Sequence, residues 1–484
     1  MVNERKEMLE QSATIYFGPW YRRSPMFEAT RRAGCTAYDV YNHMLLPAYY
    51  DDPVVEYWAL MNDVTVWDVA VERTVEISGK DADRFIDTLT CRDLTKCQVK
   101  QGKYMLVTAP DGGIVNDPVL LHVAENRWWM QLADSDAGLY ALGAAVNSNL
   151  DVEVSYPDAY PVQIQGAKAA LTLEKLVGAA IYDLKYYWVE WFDIKDIPVL
   201  ISRTGWTAVQ GFEINLLDPT RGDDLWNAIF EAGEEFDIRP VAPVEARRIE
   251  AGIMNYGSDM TLDDTPLHIQ SLAHLVEDQP QDYVGKAALE ALKRTGVDRQ
   301  LVGIEWTGDE LPAELTWFWP VVRDSEQIGR VTDAVWSPKL EKNIGYAWVP
   351  IDLAGPGNVL DVESENGHLQ VTTATIPFVD PRKEVPAQDL RRDCPPARPS
   401  AARTRWLEAS TAVRRRPRRR PQGSARRSCS WNARRRKRST TVGCVDSASC
   451  TRRACRARCG ARRTYATVPA AGRSKTAAVR SCHR

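Results

Sequence analysis

Over its first 390 residues the chain has only three cysteines, Cys35, Cys91 and Cys97, and no C-x-x-C pair. This excludes a disulfide framework and a cysteine-based metal knuckle, and it fits a reducing compartment. No uninterrupted apolar run reaches the roughly 18 residues that a membrane-crossing helix needs. The opening stretch MVNERKEMLEQSATIYFGPWYRR likewise lacks the apolar core of a signal peptide. A soluble cytoplasmic protein without metal is the expectation. Basic residues are also scarce here, with 33 Lys+Arg against 62 Asp+Glu. The clustered Lys and Arg that displace counterions from phosphates are missing, so a small molecule is a better partner for this region than nucleic acid.

Residues 391–484 reverse the balance, with 28 Lys+Arg against three acids, and the net charge of −4 averages two unlike parts. From residue 386 the chain is rich in Arg, Ala, Ser and Pro without apolar periodicity, which predicts a disordered basic tail. Charge alone would allow a nucleic-acid tether. Cys450, Cys455 and Cys459 do not form paired zinc knuckles. The composition is that of a GC-rich coding region read out of frame, and a non-native extension is the preferred reading.

What is present points to a mixed α+β body. TVEISG (74–79) and PVLLHV (118–123) read as half-buried strands, whereas GKDADRFIDTL (79–89) and LWNAIFEAGEEF (225–236) read as helices with an apolar stripe. From about 298 the pattern becomes LVGIEW, PVVRD, GRVTDAVWS, NIGYAWVP, VLDVES and LQVTTATIP, each bounded by turn residues. Such spacing predicts a small β-barrel or sandwich over 298–385, following a catalytic region over 1–297.

Several long segments carry a family resemblance. AYDVYNHMLLPAYYDD (37–52), VTVWDVAVERTVEISGKDA (64–82), GGIVNDPVLL (112–121), RTGWTAVQGFEI (203–214), EARRIEAGIMNYGSDM (245–260) and GRVTDAVWSPKLEKNIGYAWVP (329–350) resemble the dimethylsulfoniopropionate demethylases of the glycine-cleavage T-protein, or aminomethyltransferase, family. The likeness runs in collinear order over about 30–385. It implies a folate-binding body closed by a C-terminal β-barrel, tetrahydrofolate as cofactor, and methyl transfer from a small methylated donor. The alternatives it implies are aminomethyl transfer from a lipoyl-carrier protein and folate-dependent demethylation of a methylated amine or aryl ether.

The resemblance also implies roles for residues. Asp117 matches the aspartate facing the reactive part of the folate, and Glu213 the glutamate that accepts hydrogen bonds from the pterin. Trp206 stands where T-proteins have a tyrosine and offers a ring for stacking. Arg248 matches a folate-contacting arginine, and Tyr104 and Tyr256 match channel-lining residues. Tyr38, Tyr41 and His43, with Trp188, are the candidates for holding a sulfonium by cation–π attraction. Read without the resemblance, Asp117 is a turn residue, Glu213 a solvent-facing strand residue, Trp206 core, and His43 structural. The chain departs from the family in TAVQGFE, which lacks the T-protein acidic pair, and in His268, which occupies a glutamate slot of the demethylases.

Overall fold

The computed structural model describes residues 18–312 and 315–391, so the tail expected at 392–484 lies outside the described residues. Strands β1 (Ala37–Tyr41) and β2 (Met44–Tyr49) pair as a hairpin around Asn42 and His43. Both turn residues have positive φ, 48° and 60°, as a tight two-residue hairpin turn requires. Asn42 fastens the turn to the body: its side-chain amide donates to the carbonyls of Val71, Leu132 and Ala133 at 3.0, 3.2 and 3.1 Å. Helix α1 (Pro53–Asn62) then starts on Asp52, whose carboxylate accepts from the Val54 N–H at 2.8 Å, with proline in the first turn.

Strands β3 (Thr65–Asp68) and β4 (Thr74–Ser78) are close in sequence but enter different sheets. After helix α2 (Ala82–Leu89), β4 is joined by β5 (Gly102–Tyr104), β8 (Val119–Ala124), β9 (Arg127–Gln131) and β10 (Glu153–Ser155) in the order β10-β4-β9-β8-β5. Between β5 and β8, β6 (Val107–Thr108) and β7 (Ile114–Asn116) form a separate small ribbon. The α2 stripe of Phe85, Ile86 and Leu89 is fully buried against the five-stranded sheet, which is what its three- and four-residue spacing dictates.

β3 belongs to a six-stranded sheet with β11 (Tyr160–Gln165), β12 (Val189–Ile194), β13 (Ile197–Ser202), β14 (Gly211–Leu216) and β15 (Arg239–Pro240), ordered β12-β13-β14-β11-β3-β15. Val162 and Ile164 of β11 point into the main apolar core. By the two-residue period of a strand, Gln163 and Gln165 point the other way. That polar face of an apolar sheet becomes one wall of the site. Helix α3 (Gly222–Gly233) covers the core face, and the short α4 (Glu245–Glu250) leads towards the C-terminal region.

The six strand-like segments after 298 become six strands: β16 (Arg299–Trp306), β17 (Trp319–Arg323), β18 (Glu326–Ser337), β19 (Lys342–Pro350), β20 (Val359–Ser364) and β21 (Gly367–Ala374). They close as a barrel in the order β16-β19-β18-β17-β20-β21, with β21 returning to β16. Closure leaves no open edge, and Val302, Ile304, Val321, Val331 and Val362 fill the interior. The chain stays packed past the expected boundary at 385. The Arg203 guanidinium donates to the carbonyls of Pro386 and Gln388 at 2.9 and 2.6 Å, and Leu390 is buried. The onset of the tail at 386 is therefore corrected: residues up to 391 belong to the body because backbone carbonyls there satisfy a buried arginine. Among the described residues no helix is long and apolar enough to cross a membrane.

Candidate functional site

A cavity of about 770 Å³ is lined by strand residues of both sheets, the 251–256 loop, residues 270–275 and the 376–383 segment. Three carboxylates face it: Asp117, Glu213 and Glu72. Asp117 sits between β7 and β8. Tyr104, which ends β5, donates its hydroxyl to Asp117 Oδ2 at 3.0 Å. The second oxygen, Oδ1, is buried with no partner from another residue. Burial pushes this acid up to about 7, although the Tyr104 hydrogen bond pulls it back.

Glu213 lies mid-strand in β14, flanked in register by Gln163 of β11 and Ser202 of β13. Cross-strand neighbours share a face, so both side chains reach it. Gln163 Nε2 donates to Oε1 at 2.9 Å, while the Thr204 and Ser202 hydroxyls donate to Oε2 at 2.8 and 3.4 Å. Gln163 is itself oriented by Gln165 Nε2 at 2.5 Å, and Gln165 by the Thr207 hydroxyl at 2.5 Å. Burial raises the Glu213 acid and these donors oppose the rise. With three donors occupying about four lone-pair directions, roughly one remains for a ligand.

Glu72, in the link between β3 and β4, has neither kind of support. Among the described residues its carboxylate accepts one hydrogen bond, a long contact from Gln163 Nε2 at 3.5 Å. Burial, then the charges of Glu213 and Asp117, push its acid well above the usual carboxylate range. A second cavity of about 890 Å³, reaching the barrel at Trp317, Phe318 and Arg330, shares Tyr41, Glu72, Gln163, Trp206 and Asn255 with the first. Those five residues form the waist where the two spaces meet.

Residues 26–277 match the family model of the GCVT N-terminal domain, and residues 299–380 that of the glycine cleavage T-protein C-terminal barrel domain. The chain belongs to the glycine cleavage T-protein family. Among its relatives is the dimethylsulfoniopropionate demethylase of Ruegeria pomeroyi, 34% identical over 74% of this chain and 98% of the relative. An aminomethyltransferase of Desulfitobacterium hafniense is 30% identical over 70% of this chain and 93% of the relative. The crystal structure of an aminomethyltransferase T from Bartonella henselae superposes with a TM-score of 0.66 at 20% identity, covering 75% of this chain and 99% of that one. It shares the fold.

Six of the residues singled out from the sequence line the cavity of this T-protein family member: Tyr41, Tyr104, Asp117, Trp206, Glu213 and Tyr256. The Tyr256 hydroxyl donates to the Ile114 carbonyl at 2.9 Å, which fixes its ring beside the strand leading to Asp117. The other four lie elsewhere. Arg248 is fully buried, and its guanidinium is taken up by Glu245, by Asp259 at 2.7 Å and by Asp333. It is an ion-pair hub joining α4 to β18, with its guanidinium 5.4 Å from the centre of the Trp206 ring, and it does not line the cavity.

Of the four aromatic candidates, only Tyr41 lines this cavity. Tyr38 points back at Thr30, with its hydroxyl 2.8 Å from the Thr30 Oγ1 and its ring 5.1 Å from that of Phe27. His43 is an exposed turn residue. Trp188 packs on the main core with Lys185 over its ring. Its neighbours Tyr186 and Tyr187 line the cavity instead, where Tyr187 has a positive φ of 60°. The cavity-lining rings thus lie one and two residues before Trp188.

Glu72, Gln163, Tyr186 and Tyr187 were missed. For Gln163 a signal existed: two glutamines alternating with Val162 and Ile164 mark a polar face on a strand that is otherwise core. Glu72 had none, because Glu followed by Arg in a strand connection reads as solvated charge.

Proposed function

We propose that this protein is a cytoplasmic tetrahydrofolate-dependent methyltransferase that demethylates a small sulfonium such as dimethylsulfoniopropionate. The observation that carries this reading is the unpartnered, buried Oδ1 of Asp117 in the cavity of a chain 34% identical along 98% of a dimethylsulfoniopropionate demethylase.

The cavity suits a reduced folate. A pterin presents an edge of N–H donors, and the cavity presents acceptors: Asp117 Oδ1, the remaining lone pair of Glu213, and the Gln131 Oε1, which is also buried without a partner. Trp206 and Tyr187 offer flat faces for its rings, and about 770 Å³ falls in the range of roughly 300–1,000 Å³ typical of such sites. Bound tetrahydrofolate supplies the amine nitrogen that receives the methyl group. Asp117 accepts the proton that this amine gives up, which its carboxyl, titrating near 7, is placed to do at neutral pH. Glu213 and its ladder of donors hold orientation, and the aromatic lining keeps water from the reacting atoms. Departure of a sulfonium methyl leaves a neutral thioether, so alignment and desolvation are the main demands on the protein.

Aminomethyl transfer from a lipoyl-carrier protein is the alternative, supported by the aminomethyltransferase relatives. One experiment separates the two. The protein is incubated with tetrahydrofolate and either a panel of sulfonium, betaine and aryl-ether donors or an aminomethylated lipoyl carrier, and the folate products are read by mass. Methyltetrahydrofolate from a sulfonium is expected. Methylenetetrahydrofolate with ammonia, formed only with the carrier, would overturn the proposal.

A further inference from the structure

We propose that Glu72 is the counter-ion for the methyl donor's positive charge, and that it makes this cavity select onium compounds over neutral thioethers and ethers. The inference rests on the methyl-transfer reading, and deepens it by assigning the donor's charged centre to one side chain.

The three cavity carboxylates are equipped differently. Asp117 is held by Tyr104, and Glu213 by Gln163, Thr204 and Ser202. Carboxylates oriented by directed hydrogen bonds suit a ligand that itself offers directed N–H donors. Among the described residues the Glu72 carboxylate has only the 3.5 Å contact from Gln163, whose shorter bond goes to Glu213. Among the described residues no Lys, Arg or His forms an ion pair with it. The guanidinium of the next residue, Arg73, lies 3.7 Å over the ring of Tyr156. The charged groups that Glu72 feels are Glu213 and Asp117, both of its own sign. A partly enclosed carboxylate among like charges is costly, which keeps the Glu72 carboxyl protonated in the ligand-free chain; a cation that joins it lets it ionise, its proton passing to solvent. Among the described residues none supplies that cation, so the donor is the species to do so.

A sulfonium or quaternary ammonium carries charge but no N–H. It therefore needs an unpaired negative charge and aromatic faces, and gains nothing from directed acceptors. Glu72 sits where both are found, at the waist between the two cavities with Tyr41 and Trp206 in the same wall. Tyr41 is brought there by the β1–β2 hairpin that Asn42 fastens down. Neutral donors gain nothing from this carboxylate and still have to share the space with it.

The chemistry sets the kinetic signature. As the carbon–sulfur bond breaks, its electron pair returns to sulfur, which ends as a neutral thioether. The methyl carbon bonds to the acceptor nitrogen, and the displaced amine proton goes to Asp117. Positive charge at sulfur is thus fading in the transition state, so Glu72 binds the ground state more tightly than the transition state. An interaction of that kind lowers KM without raising kcat.

The test uses Glu72→Gln and Glu72→Asp in the full chain. Two quantities are measured: calorimetric affinity for trimethylsulfonium as a bare probe, and steady-state methyl transfer from dimethylsulfoniopropionate. Expected for Glu72→Gln is a loss of about tenfold in trimethylsulfonium affinity and a similar rise in donor KM. The kcat should be held or raised, tetrahydrofolate affinity kept, and Glu72→Asp should recover part of the loss. The assignment is overturned if folded Glu72→Gln binds trimethylsulfonium as well as wild type does, if the wild type does not bind it at all, or if tetrahydrofolate affinity falls in step with the donor's. A wild-type protein that binds trimethylsulfonium through Glu72 but transfers no methyl group from any sulfonium supports the Glu72 assignment while removing the methyl-transfer reading.

Discussion

The hydroxyl of Tyr104 reaches Asp117 Oδ2 at 3.0 Å and leaves Oδ1 buried and free. One oxygen is held so that the other can work. Asp117→Asn keeps the shape but removes the proton acceptor, and kcat for methyl transfer should fall by about 10²–10⁴, measured as methyltetrahydrofolate formed per unit time. A fall of less than threefold would remove Asp117 from the chemistry.

Tyr104 lowers the Asp117 acid against the upward push of burial. Tyr104→Phe should therefore move the acid limb of the pH–rate profile to higher pH than in wild type, where it is expected near 7. An unmoved limb would mean that the limb belongs to another group.

Burial holds Asp68 at about 6 and Asp117 at about 7, both above the ordinary carboxyl range. A carboxyl raised in the folded state favours folding most at low pH, and that contribution is lost as pH climbs through the folded value. Asp117→Asn should accordingly stabilise the ligand-free protein more at pH ~8 than at pH ~5.5, by a few degrees in Tm at most. An equal shift at both values would show that Asp117 titrates normally.

Gln163 links Gln165 to Glu213 through two hydrogen bonds, at 2.5 and 2.9 Å. Gln163→Leu would strand a buried donor on Gln165 and leave Glu213 Oε1 without its donor, for a loss of about 1–3 kcal/mol in denaturant unfolding. Because Glu213 would also lose its orientation, KM for tetrahydrofolate should rise. Loss of stability with KM untouched would confine the ladder to a structural role.

Arg248 answers three carboxylates drawn from α4, the 250s loop and β18. Arg248→Met would leave buried charges unpaired, at a cost of about 3–5 kcal/mol. Arg248→Lys keeps the charge without the fork, so it should lower Tm while leaving tetrahydrofolate KM close to wild type. A raised KM at unchanged Tm would restore a direct folate contact.

Much of this was legible in the sequence because the determinants are local. The six barrel strands after 298, the α2 stripe and the acidic body follow from spacing and composition, and Asp117 and Glu213 could be named from the motifs around them. The tertiary structure decided which ends of those motifs face the cavity. Tyr41 enters it and Tyr38 does not, because the turn at Asn42 and His43 sets the hairpin's direction. Tyr187 displaces Trp188 because the backbone there turns left-handed. Arg248 matches a ligand-contacting position in sequence, and folding brings it Asp259 and Asp333 from 11 and 85 residues away as ion-pair partners. Glu72 stands in a plain strand connection, and folding places it beside Glu213 and Asp117 with no ion-pair partner among the described residues. Whether a charge is satisfied depends on partners brought from distant parts of the chain, and local pattern carries no record of them.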